Sequence, residues 1–183
     1  MDFNEHWNIS GKHAFLSPSQ YHWVNYTPEK LNERYFNSEA TKRGTELHEY
    51  AAKAISLNRK QPRSKETVCM FVNDAIGYSM TPEQPLYYSE YCFGTADAIS
   101  FWKNLLRIHD LKTGNTPASM MQLKVYAAIF CLEYDKDPFE IEMELRIYQL
   151  NEIETEVPNP EEIKSIMDKI MEFDEILAKL DAS

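Results

Sequence analysis

Leu105-Leu106-Arg107-Ile108-His109-Asp110-Leu111-Lys112 reads as a β-strand, closed by Gly114 and Pro117. Side chains alternate across a strand, so Asp110 and Lys112, one residue apart, share a face. Two further strands precede it, roughly 86 to 92 and 95 to 102, with breaks near Gly94 and at Lys103-Asn104. Asp97 lies in the middle of the second. If the second and third strands pair through the turn at Lys103-Asn104, Asp97 falls opposite the 108 to 112 region, where both carboxylates can share one cation. Two carboxylates on one face of an otherwise apolar sheet are costly to bury unless compensated, and a divalent metal with oxygen ligands is a natural compensator. Taken alone, Asp110 and Lys112 also fit an ordinary ion pair at a sheet edge.

Outward from this stretch, Ala118 to Tyr134 reads as a helix with an apolar face. Phe139, Ile141, Met143, Leu145 and Ile147 alternate with Glu140, Glu142, Glu144, Arg146 and Tyr148, the pattern of a strand with one face in water. An amphipathic acidic helix follows at about 160 to 180. Toward the N-terminus, Ser17-Pro18 and Thr27-Pro28 each place a capping hydroxyl before a proline suited to a first helical turn, which predicts two short helices. Residues 39 to 57 then predict a longer helix, with Leu47, Tyr50, Ala51, Ala54 and Ile55 at helical spacing. Gly44 sits one turn before His48 on the same face, where it lets the helix approach the sheet closely. A further helix is predicted around 66 to 80. The fold class is therefore α/β, a sheet covered by helices. It reads as one domain over 1–183: a helical part at about 17–80, a sheet core at about 86–150 and a C-terminal helix at about 159–181.

The 183 residues carry a formal charge of −10, which looks unfavourable for a partner of nucleic acid. Its distribution removes the objection. Residues 151 to 183 hold a net −7, leaving −3 for the first 150, and residues 51 to 65 contain Lys53, Arg59, Lys60, Arg63 and Lys65 with no acid. The beginning of the sequence has no basic segment followed by an apolar run, and the longest apolar stretch, Val125 to Leu132, is too short to span a bilayer. These features predict a cytoplasmic protein without a membrane partner. Cys69, Cys92 and Cys131 lie far apart with no CxxC spacing, which suggests neither a disulfide framework nor a cysteine metal site. His6, His13, His22, Trp7 and Trp23 read as packing and surface residues. No Gly-rich phosphate loop occurs.

Gly44-Thr45-Glu46-Leu47-His48, Gly94-Thr95-Ala96-Asp97, His109-Asp110-Leu111-Lys112-Thr113-Gly114 and Gln122-Leu123-Lys124-Val125-Tyr126 resemble the successive motifs of the RecB-like branch of the PD-(D/E)xK nucleases. That branch includes the nuclease domains of RecB and AddB, CRISPR-associated adaptation nucleases and small phage-encoded exonucleases. The resemblance runs in order from about Ser17 to Gln149. It implies a restriction-endonuclease-like αβββαβ core with a central mixed sheet, and a metal-dependent DNA nuclease, an exonuclease in DNA processing, recombination or repair. It further implies that His48, Asp97, Asp110 and the backbone carbonyl of Leu111 hold one or two Mg²⁺ or Mn²⁺ ions. Lys112 would assist attack on the phosphodiester beside catalytic Asp97 and Asp110. Gln122 and Tyr126 would face the active centre and DNA. Independently of the resemblance, the acid-free basic run predicts that Arg59, Lys60 and Arg63 contact phosphates. Glu90, before Asp97, is a further acidic candidate. Several relatives carry four cysteines around an iron-sulfur cluster; with three cysteines, none at the flanking positions, this chain is expected to lack it. DNA is the implied partner, with recombination or replication proteins and further copies of the chain as others. The alternative is a non-catalytic nucleic-acid-binding or protein-interaction module that keeps the fold.

Overall fold

Two tight turns fix much of the sheet. In the computed structural model, which describes residues 14–16 and 18–181, Lys103 and Asn104 have φ of 48° and 66°, and Leu150 and Asn151 have 51° and 62°. Paired left-handed residues of this kind make the hairpin turn whose twist matches that of the flanking strands. The first turn joins β2 (Cys92–Trp102) to β3 (Leu105–Leu111), and the second joins β4 (Glu142–Gln149) to β5 (Glu152–Glu156). With β1 (Thr81–Ser89) they form a mixed five-stranded sheet in the order β1-β2-β3-β4-β5. All neighbours are antiparallel except β3 and β4, which are parallel and joined by a crossover through α3 (Met121–Glu133). The remaining helices are α1 (Pro28–Ser56), α2 (Thr67–Gly77) and α4 (Pro160–Asp181).

Contacts group the chain into two compact units, to Arg43 and from Gly44. In the first, Pro18–Asn25 forms a 3-10 segment, not the α-helix expected there; Ser17, His6, Trp7 and His13 lie outside the described residues. The Thr27-Pro28 signal opens α1, with Thr27 Oγ1 accepting from the Lys30 N–H at 3.3 Å. The short helix expected after it does not end before 39, because no proline or unpaired cap interrupts the run, and one helix of 29 residues results. Gly44 is buried within it.

In the second unit the sheet is covered on both faces. Leu106, Ile108, Leu145 and Ile147 pack with Leu123, Ala127, Phe130 of α3 and Ile163, Met167 of α4. Leu111 and Tyr148, of opposite parity on the same strands, pack with Ala51, Ala54, Ile55 of α1 and Phe71, Val72, Ala75 of α2. β1 begins five residues earlier than the sequence suggests. Pro82 and Pro85 conceal it, and both are tolerated because β1 is an edge strand that need not donate on its outer side. β5 escapes sequence reading altogether: Glu152, Glu154 and Glu156 make it short, acidic and mostly exposed, a charged edge that resists further pairing. Lys124 neutralises part of it, 2.7 Å from Glu156 and 2.9 Å from Glu162. No helix among the described residues is long and apolar enough to cross a membrane.

Candidate active site

The sheet register lines up three carboxylates. Pro82 pairs with Ala98 and Gln84 with Ala96, so Glu83 stands opposite Asp97. Ala98 pairs with His109, so one residue further along Asp97 stands level with Asp110. Glu83, Asp97 and Asp110 therefore form a row across β1, β2 and β3. His48, from α1, completes the cluster, with its Nδ1 3.5 Å from Asp97 Oδ2. One ligand atom from each of His48, Glu83 and Asp97 lies within 4.8 Å of the others, an imidazole-and-carboxylate donor set that suits a divalent cation.

Each group is held by its own local structure. Asp97 Oδ2 accepts the Leu111 N–H at 2.8 Å, taking the place a strand carbonyl would fill and fixing the carboxylate where β2 and β3 part. Glu83 has φ of 48°, and it alone among the described left-handed residues lies inside a strand; the others sit in turns or just beyond helix ends. That conformation costs a side-chain-bearing residue about 1 kcal/mol or more. Asp110 is only 3% exposed. Lys112 Nζ donates to Asp110 Oδ1 at 3.1 Å and to Gln122 Oε1 at 2.8 Å. The ammonium is also 3.0 Å from Asp110 Oδ2, but at an angle that makes no hydrogen bond, so this buried oxygen lacks a hydrogen-bond partner among the described residues.

The electrostatics follow from crowding. Burial raises the Asp110 carboxyl above its ordinary range, Asp97 raises it further, and Lys112 opposes both. Burial and then Asp97 likewise raise Glu83. His48 is raised by its hydrogen-bonding contact with Asp97 and by the charges of Asp97, Asp110 and Glu83, against the opposing effect of burial. Negative groups that raise one another and draw a proton to the nearest imidazole form a site that a cation relieves.

The structure brings His48, Asp97, Asp110, Lys112 and Gln122 together, and adds Glu83. It places the other sequence candidates elsewhere. Glu90 is not on a strand beside Asp97; it occupies the turn after β1, seven residues and about 23 Å of extended chain from Glu83. Tyr126 donates its hydroxyl to the Thr95 carbonyl at 2.7 Å, and its ring fills the space beside Gly94, where a Cβ would come within 2.9 Å of Cε1. Arg59, Lys60 and Arg63 are exposed on the loop after α1. Gly44 does sit at a close approach: a Cβ there would meet Thr113 Oγ1 at 2.8 Å. Glu83 was missed because two flanking prolines disguise its strand; the signal available was an acid lying fourteen residues before Asp97, as Asp97 lies thirteen before Asp110.

Behind β3, on its other face, lies a second polar group of residues. Tyr148 donates its hydroxyl to Asp74 Oδ2 at 2.7 Å, and Arg146 donates to the same oxygen at 3.1 Å. Arg146 also donates to the Tyr78 hydroxyl at 3.2 Å and lies 3.1 Å from Glu144, which accepts from Arg107 at 3.2 Å. His109 is fully buried with Nδ1 3.2 Å from the Tyr148 hydroxyl. Burial, reinforced by Arg146 and Arg107, pushes its imidazole down to about 3, so it is neutral.

No protein-family model, curated protein or solved structure matches the chain. The class is accordingly defined by architecture alone: an α/β protein with a five-stranded mixed sheet flanked by helices.

Proposed function

We propose that this chain is a metal-dependent deoxyribonuclease with a restriction-endonuclease-like core, acting as an exonuclease. The observation that carries the reading is the row of Glu83, Asp97 and Asp110 in register on three adjacent strands, with His48 above it and Lys112 beside it. His48, Glu83 and Asp97 would hold the ion, with Asp110 and the Leu111 carbonyl adjoining. Mg²⁺ suits the carboxylates, and the imidazole makes Mn²⁺ equally suitable. A bound divalent ion supplies positive charge to the phosphate and acidity to a coordinated water.

The reaction is attack of water oxygen on phosphorus, cleavage of the bond to one bridging oxygen, and transfer of a proton to that leaving oxygen. Lys112 is pre-set for it: Asp110 and Gln122 hold its ammonium in one position, so it can orient the water and stabilise charge that develops on the phosphate without reorganising. Asp97 keeps Leu111, the end of β3, at a fixed separation from the middle of β2. Arg59, Lys60 and Arg63 offer sequence-independent contacts to the DNA backbone. A second reading, a non-catalytic interaction module, draws on the exposed Phe173, Ile176, Leu177 and Leu180 at the end of α4.

End-labelled linear DNA and closed circular DNA, each incubated with wild type and Lys112→Ala in Mg²⁺ and in Mn²⁺, separate the readings. Release of labelled nucleotides from linear DNA by wild type alone supports the exonuclease. Equal nicking of the circle would replace it with an endonuclease, and inertness toward both substrates in both metals would leave the interaction module.

A further inference from the structure

The chain turns back on itself at the end of α1. Asn58 takes a φ of 51°, its N–H donates to the Ile55 carbonyl, and the Arg59 N–H donates to the Ala54 carbonyl at 2.8 Å, the bonding of a Schellman close. Gln61 is then pinned from both sides. Its N–H donates to Asn73 Oδ1 at 2.8 Å and its carbonyl accepts from Asn73 Nδ2 at 3.1 Å. Its side chain accepts from the Tyr50 hydroxyl at 2.6 Å and donates to the Arg59 carbonyl at 2.9 Å. Between this fixed loop and the last turns of α1 lies a cavity of about 460 Å³, lined by Tyr50, Lys53, Leu57, Arg59, Lys60 and Gln61 with Ala54 at its base.

Three cations line the cavity and no carboxylate does. None of Lys53, Arg59 and Lys60 makes an ion pair with another described residue. The C-terminus of α1 favours cations such as Lys53, but its roughly half negative charge offsets only a fraction of the three positive charges. Three like charges around one concavity repel one another, and an anion bound there relieves the repulsion.

We propose that this cavity binds a phosphate monoester. A phosphodiester within a strand carries a single charge and must lead chain both in and out. A monoester carries about −1.5 to −2 with three terminal oxygens, which matches a pocket lined by three cations. The end of a nucleic-acid strand and a free phosphate share this chemistry. The strand-end source rests on the nuclease reading above; the anion site does not.

The test is binding in EDTA, where no cleavage intervenes, so its outcome is separate from that of the nuclease assay. Internally labelled oligonucleotides with a 5′-phosphate, a 3′-phosphate or only hydroxyl ends are titrated by anisotropy, with inorganic phosphate as competitor. One phosphorylated end is expected to bind about tenfold more tightly than hydroxyl ends, as a few charge-assisted hydrogen bonds would give. Lys53→Ala with Lys60→Ala should remove that preference, since both side chains are exposed and the loop's own hydrogen bonds do not use them. Arg63→Ala, outside the cavity, should weaken phosphorylated and hydroxyl-ended strands by the same factor. Phosphate that binds wild type but not the double variant, without any strand-end preference, would establish the site and reassign its ligand to free phosphate. Equal binding of all strands together with no effect of inorganic phosphate would overturn the proposal.

Discussion

β3 carries two neighbouring polar residues that point to opposite faces, and the surroundings built for them differ in kind. His109 enters a network in which Asp74, Tyr148, Arg146, Tyr78, Glu144 and Arg107 exchange hydrogen bonds across α2, β3 and β4. Cations and anions alternate there, so burial is compensated within the chain. Asp110 enters a cluster where carboxylates outnumber cations, one buried oxygen lacks a hydrogen bond, and Glu83 holds a left-handed conformation inside a strand. One network balances its charges within the chain and binds α2 to the sheet, even though His109 Nε2 and Arg146 Nε, like Asp110 Oδ2, have no hydrogen-bond partner among the described residues. The other is left unfavourable by its own residues, as expected where a ligand completes the charge balance.

The sharpest way to test the contrast is to remove a charge from each side. Asp110→Asn should lower DNA cleavage by about 100-fold or more, as loss of a positioned charge in a transition state does, while thermal stability is unchanged or slightly increased because a repelled carboxylate has gone. Cleavage within tenfold of wild type, or a clear fall in melting temperature, would place Asp110 with the structural groups. On the opposite face, Arg146→Leu should destabilise by about 2 kcal/mol by stripping Asp74 and Glu144 of their shared cation, with little effect on cleavage per folded molecule. Chemical denaturation beside a specific-activity measurement reads both quantities.

The pH dependence of stability sharpens the same comparison. His109 has a folded value near 3, below the ordinary 6.5 of an exposed imidazole, so the unfolded chain binds the extra proton between those values. Stability attributable to His109 is therefore fully present above about pH 6.5 and is lost as pH falls toward 3, by up to about 1.4 kcal/mol per unit. His109→Gln should flatten that acid limb of the urea-midpoint profile; an unchanged slope would mean that other groups set it. The smallest expected effects distinguish two glycines. Gly94→Ala should cost about 1 to 2 kcal/mol, because the Tyr126 ring it meets is tethered through its hydroxyl to Thr95 and cannot swing away. Gly44→Ala should be nearly neutral in denaturation, because the gain of a better helix former offsets displacement of a rotatable Thr113 hydroxyl.

Much of this was open to a reader of the chain alone. Asp110 and Lys112 share a face because strand side chains repeat every second residue, and the structure places their charged groups 3.0 Å apart. The alternation from Phe139 to Tyr148 identified β4, although its first three residues precede the strand. Local spacing and turn chemistry suffice for such features, since the atoms involved lie within a few residues of one another. Features set by pairing between distant segments lie beyond that reach. Glu83 rather than Glu90 joins Asp97 because the β1–β2 register, not sequence proximity, selects it. Tyr126 turns to Thr95 and Gly94, where the close approach of two elements leaves room for its ring. β5 forms only because β4 and a two-residue turn supply its hydrogen bonds, which its five mostly exposed residues, three of them acidic, could not specify alone.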